Sequence, residues 1–119
     1  MKKLLIIEDD TATNSAYANK FSNKYEVISA TEGKEAFSKA VKEKPDLIIL
    51  DIMLPGGLNG FDVLRNLKHN SATANIPVVV LTNLSEQESA AKAGGAVECL
   101  VKANTDINKV ESVILKHLQ

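Results

Sequence analysis

Polar side chains stand where three apolar runs and one short mixed segment of strand length stop. Glu8, Asp9 and Asp10 follow Leu4–Ile7, Asp51 follows Leu47–Leu50, Thr82 follows Val78–Leu81, and Lys102 follows Glu98–Val101. Clustered carboxylates without a counter-charge repel one another, so a site that keeps them ionised should bind a cation. All-oxygen ligands favour a hard ion, Mg²⁺ or Mn²⁺, and no His or Cys cluster suggests zinc. A divalent ion, an ammonium and a hydroxyl around one free carboxylate make a phosphoryl-transfer site. The carboxylate would be the nucleophile, forming an acyl phosphate, while metal and ammonium offset charge on the phosphoryl oxygens.

Taken singly, each group has a plainer reading. Asp10 suits the N-cap of a helix, Asp51 a turn, Thr82 a cap for the helix after it, and Lys102 a solvated strand end. The set argues otherwise only if the fold brings these ends together.

The elements required to do so are legible. Apolar runs of strand length alternate with segments of helical period. Strands are expected at Lys3–Ile7, Tyr25–Ala30, Leu47–Leu50, Val78–Leu81 and Glu98–Val101. Leu47–Leu50 has no polar alternation, as in a parallel strand buried on both faces. Helices are expected at Thr11–Ser22, Thr31–Lys44, Phe61–His69, Ser85–Ala93 and Asp106–Leu118. Thr31 is the expected N-cap of the second, which Pro45 stops. Its face carries Ala36, Phe37, Ala40 and Val41. Ser85 and Glu88 in "SEQE" suggest a capping box, and Gly94-Gly95 end that helix. The last helix aligns Ile107, Val110, Ile114 and Leu118. Five β-α repeats imply a parallel sheet with helices on both faces. In such sheets ligands bind outside the carboxyl ends of the strands, where the polar groups stand.

Composition narrows the alternatives. The 119 residues suit one domain, 1–119. A net charge of −1 argues against binding nucleic acid through bulk charge. The longest apolar runs are four residues, far short of the roughly 20 a membrane span needs. The N-terminal apolar run meets acid too soon for a signal peptide. A single cysteine, Cys99, excludes an intrachain disulfide and suits a buried thiol in a cytoplasmic protein.

The fragments "LLIIEDD", "LIILDIMLPGGLNGFDVL", "PVVVLTN" and "GGAVECLVKA", in that order, resemble a response-regulator receiver domain of two-component signalling over nearly the whole chain. The resemblance implies a flavodoxin-like (βα)5 three-layer sandwich with strand order 2-1-3-4-5. It makes Asp51 the phosphoacceptor and Asp9 the direct ligand of Mg²⁺ or Mn²⁺, with Glu8 acting through a water. The backbone carbonyl of Met53 would be the third protein ligand, Thr82 the switch hydroxyl, and Lys102 the partner of a phosphoryl oxygen. Pro55 and Gly60 would shape the loop after the acceptor strand.

Four features depart from the family pattern. The Asp51–Gly60 loop is one residue longer, with Gly56-Gly57 where one residue is usual. The stretch from Thr82 to Lys102 is about two residues shorter. Cys99 stands where the switch aromatic usually is, and Ala103 where a cis proline usually follows the lysine. A cis bond before a non-proline residue costs about 3 kcal/mol, so the Lys102–Ala103 bond is expected to be trans, with Lys102 aimed by a different loop path.

The leading expectation is a stand-alone receiver, monomeric or weakly dimeric. It accepts a phosphoryl group from a histidine kinase or phosphotransfer protein and signals to a downstream protein through a changed surface. A second reading is a receiver-like binding module that works without phosphorylation, motivated by Cys99 and Ala103. A third, an enzyme hydrolysing phosphate esters, lacks the second acid near Asp51 that would serve as general acid. The apolar residues Met53 and Leu84 border the site and favour slow self-dephosphorylation.

Overall fold

In the computed structural model, which describes residues 1–54 and 59–118, five parallel strands form one sheet in the order β2-β1-β3-β4-β5. The strands are β1 (Lys3–Ile7), β2 (Glu26–Ala30), β3 (Leu47–Asp51), β4 (Val78–Thr82) and β5 (Glu98–Val101). The helices are α1 (Thr11–Phe21), α2 (Gly33–Glu43), α3 (Gly60–His69), α4 (Glu88–Ala93) and α5 (Ile107–His117). The flavodoxin-like expectation and its strand order are therefore met.

Each strand feeds two cores because successive side chains point to opposite faces. Leu5, Ile7, Ile48, Leu50, Val78 and Val80 pack with Ala36, Ala40, Val63, Leu64, Leu67 and Ala91 of α2, α3 and α4. Leu4, Ile6, Leu47, Ile49, Val79 and Leu81 pack with Phe21, Val110, Val113 and Ile114 of α1 and α5. Both cores draw on β3, and every residue of β3 is buried. This is the physical reason that its sequence is apolar without alternation. The three layers follow, with Leu47–Leu50 at the centre of the middle one.

Two helix starts differ from expectation. Helix α2 begins at Gly33 with Glu32 as N-cap and no side-chain cap bond. Thr31 instead donates its N–H to Glu35 Oε1 at 2.9 Å, so the chain before the helix is held from inside it. Ser85 and Glu88 form no capping box. Ser85–Gln87 is a 3-10 turn, and α4 follows from Glu88. The turn is tightened from the strand side, because the Thr82 hydroxyl takes the Leu84 N–H at 3.1 Å and bonds the Gln87 side chain. Pro77 and Pro45 flank β4 and α2 as expected, whereas Pro55 and the pair Gly56-Gly57 lie outside the described residues.

Gly60 opens α3 just after β3. Its N–H donates to the Ile52 carbonyl at 2.9 Å. A Cβ there would lie 2.3 Å from Ile52 Cα and 2.6 Å from the Ile52 carbonyl oxygen, both backbone atoms that cannot rotate away. Gly60→Ala should therefore destabilise the fold by about 1–3 kcal/mol, the usual range for overpacking. A thermal melt unchanged from wild type would contradict this contact.

Candidate functional site

Strand register alone brings the polar ends together. Ile7 is level with Leu50 across the β1–β3 pair, so Glu8 and Asp51 emerge side by side. Asp51 pairs with Leu81 and Thr82 with Val101, which sets Thr82 one step beyond Asp51 and Lys102 one step beyond Thr82. Carboxylate oxygens of Glu8, Asp9 and Asp51 all lie within 4.8 Å of one another. Glu8 and Asp51 are each only 2% exposed, whereas Asp9 faces solvent.

Lys102 reaches into this group. Its Nζ lies 3.0 Å from Glu8 Oε1 and 3.0 Å from Asp51 Oδ2. A 3-10 turn over Lys102–Asn104 redirects the chain after β5, closed by Thr105 N–H on the Lys102 carbonyl at 3.2 Å. No cis peptide bond occurs among the described residues, in agreement with the trans bond expected before Ala103. Thus Lys102 meets the Asp51 carboxylate by way of a helical turn.

The acids are held from behind as well. The Met53 N–H donates to Asp51 Oδ1 at 3.0 Å, and the Asp10 N–H to Glu8 Oε2 at 3.3 Å. The side chain of Asn14, buried on α1, donates to the Glu8 and Ala30 carbonyls at 3.1 and 3.3 Å, tying α1 to the ends of β1 and β2. Asp10 itself is an N-cap, accepting from the Ala12 N–H at 3.3 Å and the Thr13 hydroxyl at 2.6 Å. It therefore turns away from the acidic group.

Thr82 is fully buried at the end of β4. Its hydroxyl bonds the Gln87 side-chain oxygen and Leu84, and no bond joins it to Asp51 among the described residues. Gln87 and Asn14 were not foreseen. Their only sequence signal is position, five residues after Thr82 and six after Glu8 respectively, which is too weak to read. Met53 and Leu84 flank the site with exposed apolar side chains. Cys99 is buried with the α2–α4 core, and burial pushes its thiol up, away from the reactive form.

Burial and the neighbouring Asp51 carboxylate push Glu8 up to about 7, although Lys102 opposes them. Burial alone would pull Lys102 down; its bonds to Asp51 and Glu8 outweigh this and raise it. An oxygen-ligated divalent cation suits this donor set, since the carboxylates carry more negative charge than one ammonium balances.

A pH dependence follows for the metal-free protein. The folded state holds Glu8 protonated up to about 7, above its ordinary 4.5, so it binds a proton that the unfolded chain releases. This contribution is full below pH 4.5 and is lost as pH rises through about 7, at a cost on the order of 1–3 kcal/mol. In chelator, Glu8→Gln should flatten the fall in stability over that window. Identical slopes for wild type and variant would contradict the assignment.

The chain is similar to proteins of known sequence and structure throughout its length. It is 32% identical to the protein PilH of Pseudomonas aeruginosa over 105 residues, covering 86% of each chain. It is 34% identical to the response regulator PleD of Caulobacter vibrioides over 108 residues, which is 88% of this chain but only 24% of PleD. Among solved structures, the chemotaxis response regulator CheY4 of Vibrio cholerae superimposes with a TM-score of 0.90 at 28% identity, covering 99% of both chains. The family model for the response regulator receiver domain matches residues 4–114, so this chain belongs to that family.

Proposed function

We propose that this domain accepts a phosphoryl group on Asp51 in a reaction dependent on Mg²⁺ or Mn²⁺. The observation that carries the reading is the meeting of Glu8, Asp9, Asp51 and Lys102 at one edge of the sheet. The donor class is a phosphohistidine on a kinase or phosphotransfer protein. The P–N bond breaks, a P–O bond forms to an Asp51 carboxylate oxygen, and the imidazole leaves with the electron pair. Glu8, Asp9, Asp51 and the Met53 carbonyl would hold the cation. When bound, it supplies positive charge against the phosphoryl oxygens.

Each protein group has a task in that transfer. The Met53 N–H fixes one Asp51 oxygen at 3.0 Å, so the carboxylate is oriented before a donor arrives. Lys102 is already on the other oxygen and would follow the charge onto the phosphoryl group, where its attraction is strengthened by the half-buried setting. Thr82, one step along the neighbouring strand, is the hydroxyl that would take a phosphoryl oxygen. Signalling would follow from that movement through the β4–α4 connection to a downstream protein. Beyond this self-modification no substrate turnover is proposed, because Ile52 and Met53 after the nucleophile offer no general acid. Docking without phosphate is the less favoured reading, since a scaffold has no use for a buried acid pair bridged by an ammonium.

Incubation with a small acyl phosphate and Mg²⁺ should add one phosphate to wild type by intact mass. Asp51→Asn should add none, and chelator should prevent the addition. The exposed apolar Met53 and Leu84 offer nothing to orient a water, so the phosphorylated form should outlast seconds. Wild type unmodified beside a reactive control receiver would overturn the reading, and decay within seconds would overturn the role given to the two apolar residues.

A further inference from the structure

We infer that Gln87 is a positioning residue that holds the Thr82 hydroxyl in its phosphate-free arrangement and thereby sets how readily the site takes a phosphoryl group. The inference rests on the reading of Asp51 as phosphoacceptor and adds a residue to it.

A threonine hydroxyl has one proton to give. Here the hydroxyl is placed to give it to the Gln87 side-chain oxygen, with the Leu84 carbonyl a distant second at 3.5 Å. The Thr82 hydroxyl oxygen in turn accepts the Leu84 N–H at 3.1 Å. The hydroxyl is thus engaged on both counts inside its own connection. Thr82 is completely buried, so water is no alternative partner. To donate to a phosphoryl oxygen on Asp51, it must first leave Gln87. The phosphoryl group and the Gln87 carboxamide therefore compete for one proton, and the competition is paid in affinity for whatever occupies Asp51.

The surroundings allow that exchange. Gln87 ends the 3-10 turn, is half-buried, and lines a cavity of about 220 Å³ with Ile52, Met53, Asn59 and Phe61. A released carboxamide has room to turn toward this space without being stranded in an apolar core. Because Gln87 sits immediately before α4, its release is also a mechanical link from the phosphate site to that helix. The link needs no aromatic at position 99, where this chain has a buried cysteine.

The test is binding of beryllofluoride with saturating Mg²⁺, followed by the amide resonances of Ile52 and Met53. Gln87→Met keeps the length of the side chain and removes its acceptor, and Gln87→Ala guards against a steric effect of methionine. Both should bind the mimic about three- to tenfold more tightly than wild type, the scale of one neutral hydrogen bond, with Mg²⁺ affinity unchanged. In a Thr82→Val background the same Gln87 substitutions should change nothing. Unchanged or weaker binding in both Gln87 variants would overturn the inference, as would an equal gain in the Thr82→Val background. Binding by wild type that is merely insensitive to Gln87 leaves the phosphoacceptor reading standing. Failure of wild type and every variant to bind the mimic would overturn that reading and this inference together.

Discussion

Two carboxylates, Glu8 and Asp51, are buried side by side, and one ammonium lies 3.0 Å from each. Much of the rest of the molecule follows from this arrangement. Burying one carboxylate without a partner is costly, and burying two together is worse. Lys102 offsets part of that cost, and the proton that Glu8 retains to about 7 offsets more. What remains is a site short of positive charge, which suits a cation. Such a site cannot be improved for stability without losing its use. Apolar replacements for buried ion pairs often stabilise, but on the proposed function they would remove the nucleophile and the charge that receives its product.

The sheet exists, in this sense, to impose that proximity. Parallel pairing ends all strands on one edge, and the one-to-one register from Ile7 through Leu50 to Val80 turns it into side-by-side placement. Packing on both faces of β3 prevents slippage, since moving it by one residue would exchange the side chains of the two cores. Gly60 lets α3 start against the Ile52 backbone, and Asn14 anchors α1 to the end of β1. These contacts carry the rigidity that an oriented carboxylate needs. The β4–α4 connection differs. Helix α4 has only six residues, Glu88–Ala93, and its entry depends on a hydroxyl to which the proposed function gives another use.

The strands and the convergent acids were legible in the sequence because both follow from periodicity and parallel topology. Leu47–Leu50 could hardly be anything but a central strand, and the position of Asp51 after it is a matter of counting. Local hydrogen-bond choices were not legible. "SEQE" has the composition of a capping box, yet the strand end competes for the same turn and wins through Thr82 and Gln87. Thr31 looks like a cap, but Glu35 supplies the bond instead. In each case the deciding partner came from the other side of a turn, where sequence spacing carries little information. Asp10 gave the reverse lesson: its plain reading as a helix cap was the right one, beside two acids that join the cluster with Asp51.

The central claim is that Asp51 becomes the point of attachment for a phosphoryl group within the grip of Glu8, Asp9 and Lys102. A crystal structure grown with Mg²⁺ and beryllofluoride tests it most directly. The account predicts beryllium on an Asp51 carboxylate oxygen, the cation among Glu8, Asp9, Asp51 and the Met53 carbonyl, and Lys102 on a fluorine. Beryllofluoride on another residue, or a cation held without Asp9 and Asp51, would contradict it.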